Sequence, residues 1–231
     1  MVPEASDPDQ SAAVLFSAGL DSAVLLAAAA QRYELVQPIY VSAGLAWEAD
    51  EIAAARQLLG AGAYGRRVRP LAALSVDMRD VYPPGHWAVR GVAPAFDTPD
   101  QHVYIEGRNV VLLAKAAVYM ARTRLPRVLL GLLAGNPFPD ATPEFFGLMG
   151  RALSVGLGTP IHVEAPFAAL HKADVITLGA ELRVPFALTL SCMQPVNGLH
   201  CGRCSKCRER RDGFRDAGVD DPTAYATRPA R

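Results

Sequence analysis

The chain has 231 residues, 51% of them hydrophobic, which is enough for the core of one large domain or two small ones. The formal net charge is zero, so no overall field attracts nucleic acid or an anionic membrane, and we expect neither as a partner. No apolar run reaches the ~18 residues of a membrane span, and the acidic, polar N-terminus is unlike a signal peptide. These properties predict a cytoplasmic protein.

Apolar runs and amphipathic segments alternate along the first 69 residues. Pro38 lies inside one apolar run and predicts an irregularity or an edge strand. Strands are predicted at 12–16, 35–41 and 64–69, and helices at 22–32 and 48–59. Such alternation predicts a Rossmann-like α/β fold, with a parallel sheet covered by helices on both faces.

Prolines and glycines interrupt this alternation between residues 70 and 104. A long insertion of this composition predicts a lid or binding loop, with a short helix near 74–81. Helices then follow at 109–122, 143–155, 171–182 and 206–217, and strands at 127–131 and 161–164. We predict a flexible tail at 1–11, an α/β domain at 12–190, a zinc-binding segment at 191–222 and a second tail at 223–231.

The turn between the first strand and the first helix has the composition of an anion-binding loop. It consists of Ser17, Ala18, Gly19, Leu20, Asp21 and Ser22. Amide groups at the start of a helix can surround a phosphate, the serines add hydroxyl donors, and Asp21 can cap the helix or orient Mg²⁺. It is not a Walker A loop, because that motif requires a lysine. A well-capped turn without a ligand is the alternative.

The chain has four cysteines, all near the C-terminus, at Cys192, Cys201, Cys204 and Cys207. In a reducing compartment, this spacing predicts one tetrahedral Zn²⁺ site. Four thiolates close the coordination shell to water, so the predicted role of the metal is structural. The alternative is four free or oxidised thiols. The neighbouring His200 is a possible substitute ligand, although we expect it to lie beside the metal ligands without coordinating, or in solvent.

The Ser17–Ser22 turn resembles the SGGxDS loop of the PP-loop ATP pyrophosphatases, which adenylate a carboxylate or carbonyl oxygen and release pyrophosphate. Ala18 stands where the motif has the first glycine of its pair. Because alanine resists positive φ, we expect a negative φ at this position.

The cysteine segment, 191–208, resembles the C-terminal signature of the 7-cyano-7-deazaguanine synthase (QueC) family. Shorter stretches occur in the family's order and extend the resemblance over about residues 12 to 222. They are Gly107-Arg108-Asn109, Pro139-Asp140, Pro143-Glu144-Phe145, Glu164-Ala165-Pro166, Leu170-His171-Lys172-Ala173, Leu178-Gly179 and Val184-Pro185-Phe186.

This resemblance implies a carbon–nitrogen ligase that makes 7-cyano-7-deazaguanine (preQ0) from 7-carboxy-7-deazaguanine, ATP and ammonia. The acid would be adenylated and converted to an amide, and the amide would be activated again to give the nitrile. It implies ATP and Mg²⁺ as further ligands of the site, and leans toward a homodimer.

Five residues outside the loop are candidates for the reaction. Lys172 is the best cation for the leaving pyrophosphate, and Arg108 can bind phosphate or the substrate carboxylate through its planar fork. Asn109 can contact the nucleotide, Asp140 can accept from the purine-like edge or hold Mg²⁺, and Phe138 can stack on the heterocycle. The alternatives are an exposed lysine for Lys172, an ion pair with a neighbour such as Glu106 for Arg108, and a helix cap for Asn109. For Asp140 the alternative is a Pro-Asp turn, and for Phe138 it is local core packing.

Two stretches depart from the family pattern, at 40–48 and 134–142, in addition to Ala18. They leave open a related substrate, a reaction that stops at the amide, or transfer of the activated deazapurine to another amine. A PP-loop tRNA-modifying enzyme such as a thiolase is a second reading, weakened because all four cysteines are assigned to metal. A zinc-bearing nucleotide-binding module without catalysis is the third.

Overall fold

A computed structural model describes residues 10–227 as five strands and seven helices, with short 3-10 turns between them. The strands are β1 (Ser11–Leu15), β2 (Leu35–Ser42), β3 (Ala72–Ser75), β4 (Arg127–Leu129) and β5 (His162–Glu164). The helices are α1 (Leu20–Arg32), α2 (Glu48–Gly60), α3 (Trp87–Arg90), α4 (Arg108–Thr123), α5 (Pro143–Leu157), α6 (Lys172–Glu181) and α7 (Ser205–Ala217).

The five strands form one parallel sheet in the order β3-β2-β1-β4-β5. The central strand, β1, is the most apolar, and Ala12, Ala13 and Val14 are fully buried because helices cover both faces. The predicted Rossmann-like class is confirmed. The strand order reverses between β1 and β4, and ligands bind at such a point outside the carboxyl ends of the strands.

The third strand is not where the sequence pattern predicts it. Residues 64–69 contribute a single bridge, Val36 to Val68, and the continuous β3 ladder begins only at Ala72. Pro70 separates the two, because it has no N–H to donate to a ladder. The helix predicted near 74–81 is also wrong, since β3 occupies its start and the helix of the insertion, α3, comes later.

Pro38 marks an irregularity inside the sheet, as predicted, although β2 is not an edge strand. The β2–β3 contacts are interrupted between Val36 and Ile39, the side on which Pro38 lacks its N–H. The Gln37 side chain spans this gap and donates to the carbonyl oxygens of Pro38 and Pro70, at 3.0 and 2.8 Å.

The insertion packs against the cysteine segment. Arg208 donates to the carbonyl oxygens of Phe96 and Thr98, at 2.7 and 3.1 Å, and the Ser205 amide donates to Pro94 at 3.2 Å. Apolar side chains of both segments share one buried cluster with the turn before α2, including Trp47, Tyr82, Ile105 and the four cysteines. We call this cluster the outer wall.

The predicted N-terminal tail lies largely outside the described residues, although β1 already begins at Ser11. Part of the predicted C-terminal tail makes defined contacts, since Thr223 accepts a hydrogen bond from buried Arg210 at 2.6 Å. Between residues 10 and 227, none of the helices has both the length and the apolar character to cross a bilayer.

Candidate active site

A cavity of about 320 Å³ opens at the carboxyl ends of β1, β2 and β4, where the strand order reverses. One end is formed by the Ser17–Ser22 loop together with α6 and α7, and we call it the phosphate end. The other end lies between β2, α2, the insertion and the start of α4, and we call it the far end. The predicted residues Arg108, Asn109, Phe138 and Lys172 all line this cavity.

The Ser17–Ser22 loop is a tight turn that leads into α1, with its serines open to the cavity. The Gly19 amide donates to Ser17 Oγ at 3.3 Å, and Ser22 Oγ donates to the Gly19 carbonyl oxygen at 3.0 Å. The Leu20 amide donates to Ser191 Oγ at 3.3 Å, across 171 positions of sequence. The C-terminal segment therefore completes the loop.

Ala18 has a φ of +58°, so the expected negative φ is wrong. Its side chain is fully buried beneath the loop, and its carbonyl oxygen accepts from the Leu190 amide at 2.9 Å. A left-handed alanine costs about 1–2 kcal/mol. The loop thus keeps the backbone shape that a glycine would adopt without strain.

Four charged side chains meet beside the loop. Lys172 Nζ lies 2.6 Å from Asp21 Oδ2 and 2.7 Å from Glu209 Oε1, and Lys206 Nζ lies 2.5 Å from Glu209 Oε2. Burial disfavours the ammonium of Lys172, but the Asp21 and Glu209 carboxylates outweigh it and hold its pKa above the usual value. The cluster provides two cations at the position where phosphates would meet α1.

Lys206 and Glu209 were not among the residues predicted from sequence. They stand one turn apart at the start of α7, a spacing typical of an exposed ion pair, and only the fold brings them to Asp21. Gly213 allows this approach, because a Cβ there would lie 2.3 Å from Lys172 Cγ.

The start of α4 places Arg108 and Asn109 on the cavity. Arg108 lines the cavity, and its buried Nε has no hydrogen-bond partner within residues 10–227, so the fold leaves this donor unused. The alternative partner, Glu106, is mostly exposed and lies 3.9 Å from His86.

Asp140 does not line the cavity. Its carboxylate accepts from the Asn109 amide at 2.9 Å, and its carbonyl oxygen accepts from Asn109 Nδ2 at 2.9 Å. Burial raises the Asp140 pKa, although the hydrogen bond from the Asn109 backbone opposes this. The structure therefore places Asp140 behind Asn109, where it holds the first turn of α4.

Aromatic rings dominate the far end. Trp47 and Trp87 stack with centroids 5.6 Å apart and planes 11° apart, and Phe138 stacks on Tyr104 at 5.1 Å. Glu51, on the first turn of α2, also reaches this end and is only 8% exposed. Sequence reasoning missed it, because an acid in a first helical turn is the ordinary complement of the helix dipole.

The four cysteines form one buried group. Their Sγ atoms all lie within 4.8 Å of one another, with contacts of 3.9 Å for Cys192–Cys204 and for Cys201–Cys207. A tetrahedral shell with metal–sulfur distances of about 2.3 Å separates its sulfurs by roughly 3.8 Å, so the group fits one metal ion.

Backbone amides complete the surroundings of the cysteine group. The amides of Gln194 and Cys201 donate to Cys192 Sγ, and the Arg203 amide donates to Cys201 Sγ, each at 3.3 Å. Such bonds stabilise thiolates over thiols. His200 is buried rather than solvent-exposed, and its Nε2 accepts from the Ser191 amide at 3.0 Å instead of joining the sulfurs.

Known proteins match both the sequence and the fold. The family described as "Queuosine biosynthesis protein QueC" matches residues 11–218. A 7-cyano-7-deazaguanine synthase of Anaeromyxobacter dehalogenans is 34% identical, over 96% of this chain and 99% of the relative. One of Xanthomonas campestris pv. campestris is 33% identical, over 93% of this chain and 97% of the relative.

The fold is similar to that of the U34-tRNA thiolase NcsA from Methanococcus maripaludis, whose structure contains a [4Fe-4S] cluster. The TM-score is 0.50 at 12% identity, over 90% of this chain and 67% of the thiolase. That likeness concerns the fold alone. The family match and the curated relatives cover nearly the whole chain, and on that evidence the chain belongs to the QueC family.

Proposed function

We propose that this protein converts 7-carboxy-7-deazaguanine to 7-cyano-7-deazaguanine, using ATP and ammonia. The observation that carries the proposal is one cavity that is lined by the Ser17–Ser22 loop, two lysines and Arg108 and that has aromatic rings at its far end. A triphosphate and a flat acid are the two ligands that such a cavity suits. Membership of the QueC family supports the same reaction.

In the proposed reaction, the substrate carboxylate attacks the α-phosphorus of ATP and pyrophosphate leaves. Ammonia then displaces AMP from the acyl adenylate and gives the amide. The amide oxygen is adenylated by a second ATP, and loss of AMP with the remaining N–H protons gives the nitrile. Two ATP molecules are therefore consumed for each nitrile.

The residues act by positioning and charge rather than as nucleophiles. Ser17, Ser22 and the loop amides would hold the phosphates, and Lys172 and Lys206 would neutralise the departing pyrophosphate. Asp21 would exchange Lys172 for Mg²⁺ when the nucleotide binds, since a carboxylate is the ligand that Mg²⁺ prefers. Arg108 would hold the substrate carboxylate through its free nitrogen.

We further propose that the metal of the cysteine group is one Zn²⁺ with a structural role. Sulfurs this close together suit a single ion, whereas a [4Fe-4S] cube spreads its four thiolates over four irons. Zinc bound there would stabilise the outer wall and the start of α7, which carries Lys206 and Glu209. With all four thiols occupied, no cysteine remains to carry sulfur, which disfavours a thiolase.

The experiment is mass spectrometry of the products after incubation with ATP, Mg²⁺, ammonia and 7-carboxy-7-deazaguanine. The expected product is the nitrile, with two AMP formed per nitrile. Accumulation of the amide with one AMP would mean that the reaction stops early. An adenylate that reacts only with an added amine would indicate transfer to another acceptor. If no AMP forms with either ammonia or an added amine, the protein would be a binding module without catalysis.

A further inference from the structure

Three acidic side chains are buried around the far end, and two of them are already used by the fold. Asp140 holds the Asn109 amide. Glu48 accepts from the amides of Ala43 and Gly44, at 2.8 and 3.0 Å, and from Ser42 Oγ, so it closes the turn that leads into α2. Neither carboxylate lines the cavity.

Glu51 is different because its carboxylate borders the cavity. Its Oε2 accepts from the Tyr40 hydroxyl at 2.8 Å, which fixes the orientation of the group. The Trp47 side chain also hydrogen-bonds to this carboxylate. An ionised carboxylate offers about four lone-pair positions, so about two remain for a ligand beside Tyr40 and Trp47. Burial, with a smaller contribution from the Glu48 charge, raises the Glu51 pKa to about 7, against the opposing effects of Arg108, Tyr40 and Trp47. A carboxylate kept in this environment weakens the fold, which is typical of functional sites.

We infer that Glu51 recognises the donor edge of the deazapurine, accepting from N1–H and the exocyclic 2-amino group, with Tyr40 as the residue that positions it. This rests on the proposed function. The two donors point the same way and are spaced like the fork of a guanidinium, which carboxylates bind bidentately. Adenine has no such pair of donors, so the interaction would also keep the adenine of ATP out of the far end.

The neighbouring groups fit the same orientation. Trp47, Trp87 and Phe138 provide flat apolar surfaces along the cavity for the faces of the heterocycle. Arg108 acts electrostatically on Glu51 from the first turn of α4 and has its own free Nε. If Glu51 holds the 2-amino edge of the substrate, Arg108 would therefore be near enough to interact with the substrate carboxylate.

The test compares 7-carboxy-7-deazaguanine with the same acid lacking its 2-amino group, 7-carboxy-7-deazahypoxanthine. The wild type should prefer the amino compound by roughly 100-fold in kcat/KM, since a hydrogen bond to a charged group contributes about 1.5–3 kcal/mol. Glu51→Gln should reduce this preference to within about fivefold, and its KM for ATP should stay unchanged. Tyr40→Phe should lower the wild-type preference by a factor of about five, because Tyr40 only positions Glu51 and does not contact the substrate itself.

Glu48→Gln is the matched control, since it makes the same change three residues earlier on the same helix and should keep the wild-type preference. Thermal melts establish that each variant is folded. An unchanged preference in folded Glu51→Gln, or a raised KM for ATP with the preference intact, would overturn the inference.

Binding measured by calorimetry separates this inference from the proposed function. If the wild type binds the amino compound more tightly than its analogue in a Glu51-dependent way, but makes no AMP, the function fails and the inference stands. If turnover proceeds but the amino compound and its analogue bind with the same affinity, the function stands and the inference fails.

Discussion

The two ends of the cavity solve different physical problems. The phosphate end gathers charges that neutralise one another before any ligand arrives, with Lys172 held between Asp21 and Glu209. The far end has stacked rings and a buried acid, Glu51, that accepts hydrogen bonds from the neutral side chains of Tyr40 and Trp47. A paired charge can be exchanged at little cost, which suits a nucleotide that enters and leaves as pyrophosphate and AMP. An aromatic surface with one oriented acceptor suits discrimination between flat molecules.

The largest expected effect comes from a substitution that should disrupt both ends of the cavity. Cys204→Ala takes one ligand from the metal group, whose segment contributes to the outer wall and carries α7. Bound metal should fall to near zero and AMP formation should fall below detection, because metal binding contributes to folding of the segment. Elemental analysis and an AMP assay measure the two quantities.

Ser205→Ala is the control for this change, because it alters the adjacent buried residue and leaves the sulfurs in place. It should retain its metal and activity. If a soluble Cys204→Ala protein had no metal but wild-type turnover, the metal at the cysteine group would not be needed for the structure of the cavity.

A second substitution should affect the phosphate end alone. Asp21→Asn removes the carboxylate that pairs with Lys172 and would hold Mg²⁺. We expect AMP formation to fall by about 10²–10³-fold, as for the loss of one preorganised electrostatic group. Calorimetric binding of the deazapurine acid should remain.

Asp50→Asn, the same change on α2 away from the cavity, should be neutral in both the AMP and the binding measurements. Normal turnover by Asp21→Asn would remove this residue from the mechanism.

A third substitution should affect the far end through pH. The Glu51 pKa is about 7 in the folded chain, against an ordinary value of 4.5. The folded state therefore binds more protons between these pH values, and Glu51 lowers stability as pH rises from 4.5 to 7. Glu51→Gln should be more stable than the wild type by about 2–3 kcal/mol at pH 8, and nearly equal at pH 4.5.

Denaturant unfolding of both proteins at the two pH values gives this difference, and groups that the two proteins share cancel. A gap that does not change with pH would mean that Glu51 titrates normally.

The smallest expected effect concerns the loop backbone. Ala18→Gly removes the strain of a left-handed alanine, but it also removes a fully buried methyl group and makes the unfolded chain more flexible, so we expect stability to change by less than about 1 kcal/mol. The KM for ATP should not change, because the carbonyl contact to Leu190 remains. Ala18→Val should destabilise, and a large loss of ATP affinity in Ala18→Gly would show that alanine reshapes the loop. Melting curves and ATP titrations measure both.

The phosphate end was the more predictable from sequence, because its loop, its first helix and Lys172 stand in short local motifs. The cysteine group was predictable for the same reason, since four thiols in one segment need no distant partner. Lys206 and Glu209 were not, because an ion pair on a helix surface has the same pattern whether or not it meets a site.

The far end depends on contacts between distant segments. The sequence pattern was misleading at two positions as to which acid lines the cavity. Glu51 and Asp140 are both acids at helix starts, and the sequence favoured Asp140 because it matches a family motif. The fold assigns Asp140 to the backbone of α4 and leaves Glu51 facing the cavity. In the sheet, the parallel class was predictable from alternation, whereas β3 moved because Pro70 shifted the ladder by several residues.

The hydrogen bonds from Leu190 to Ala18 and from Leu20 to Ser191 join the phosphate loop to a segment about 171 positions later in the sequence. During synthesis on the ribosome, the first strand and helix emerge long before the segment that completes this turn. Formation of the complete loop therefore has to wait until the segment around Ser191 has left the exit tunnel, and a nascent chain that stops before this segment would lack these two hydrogen bonds.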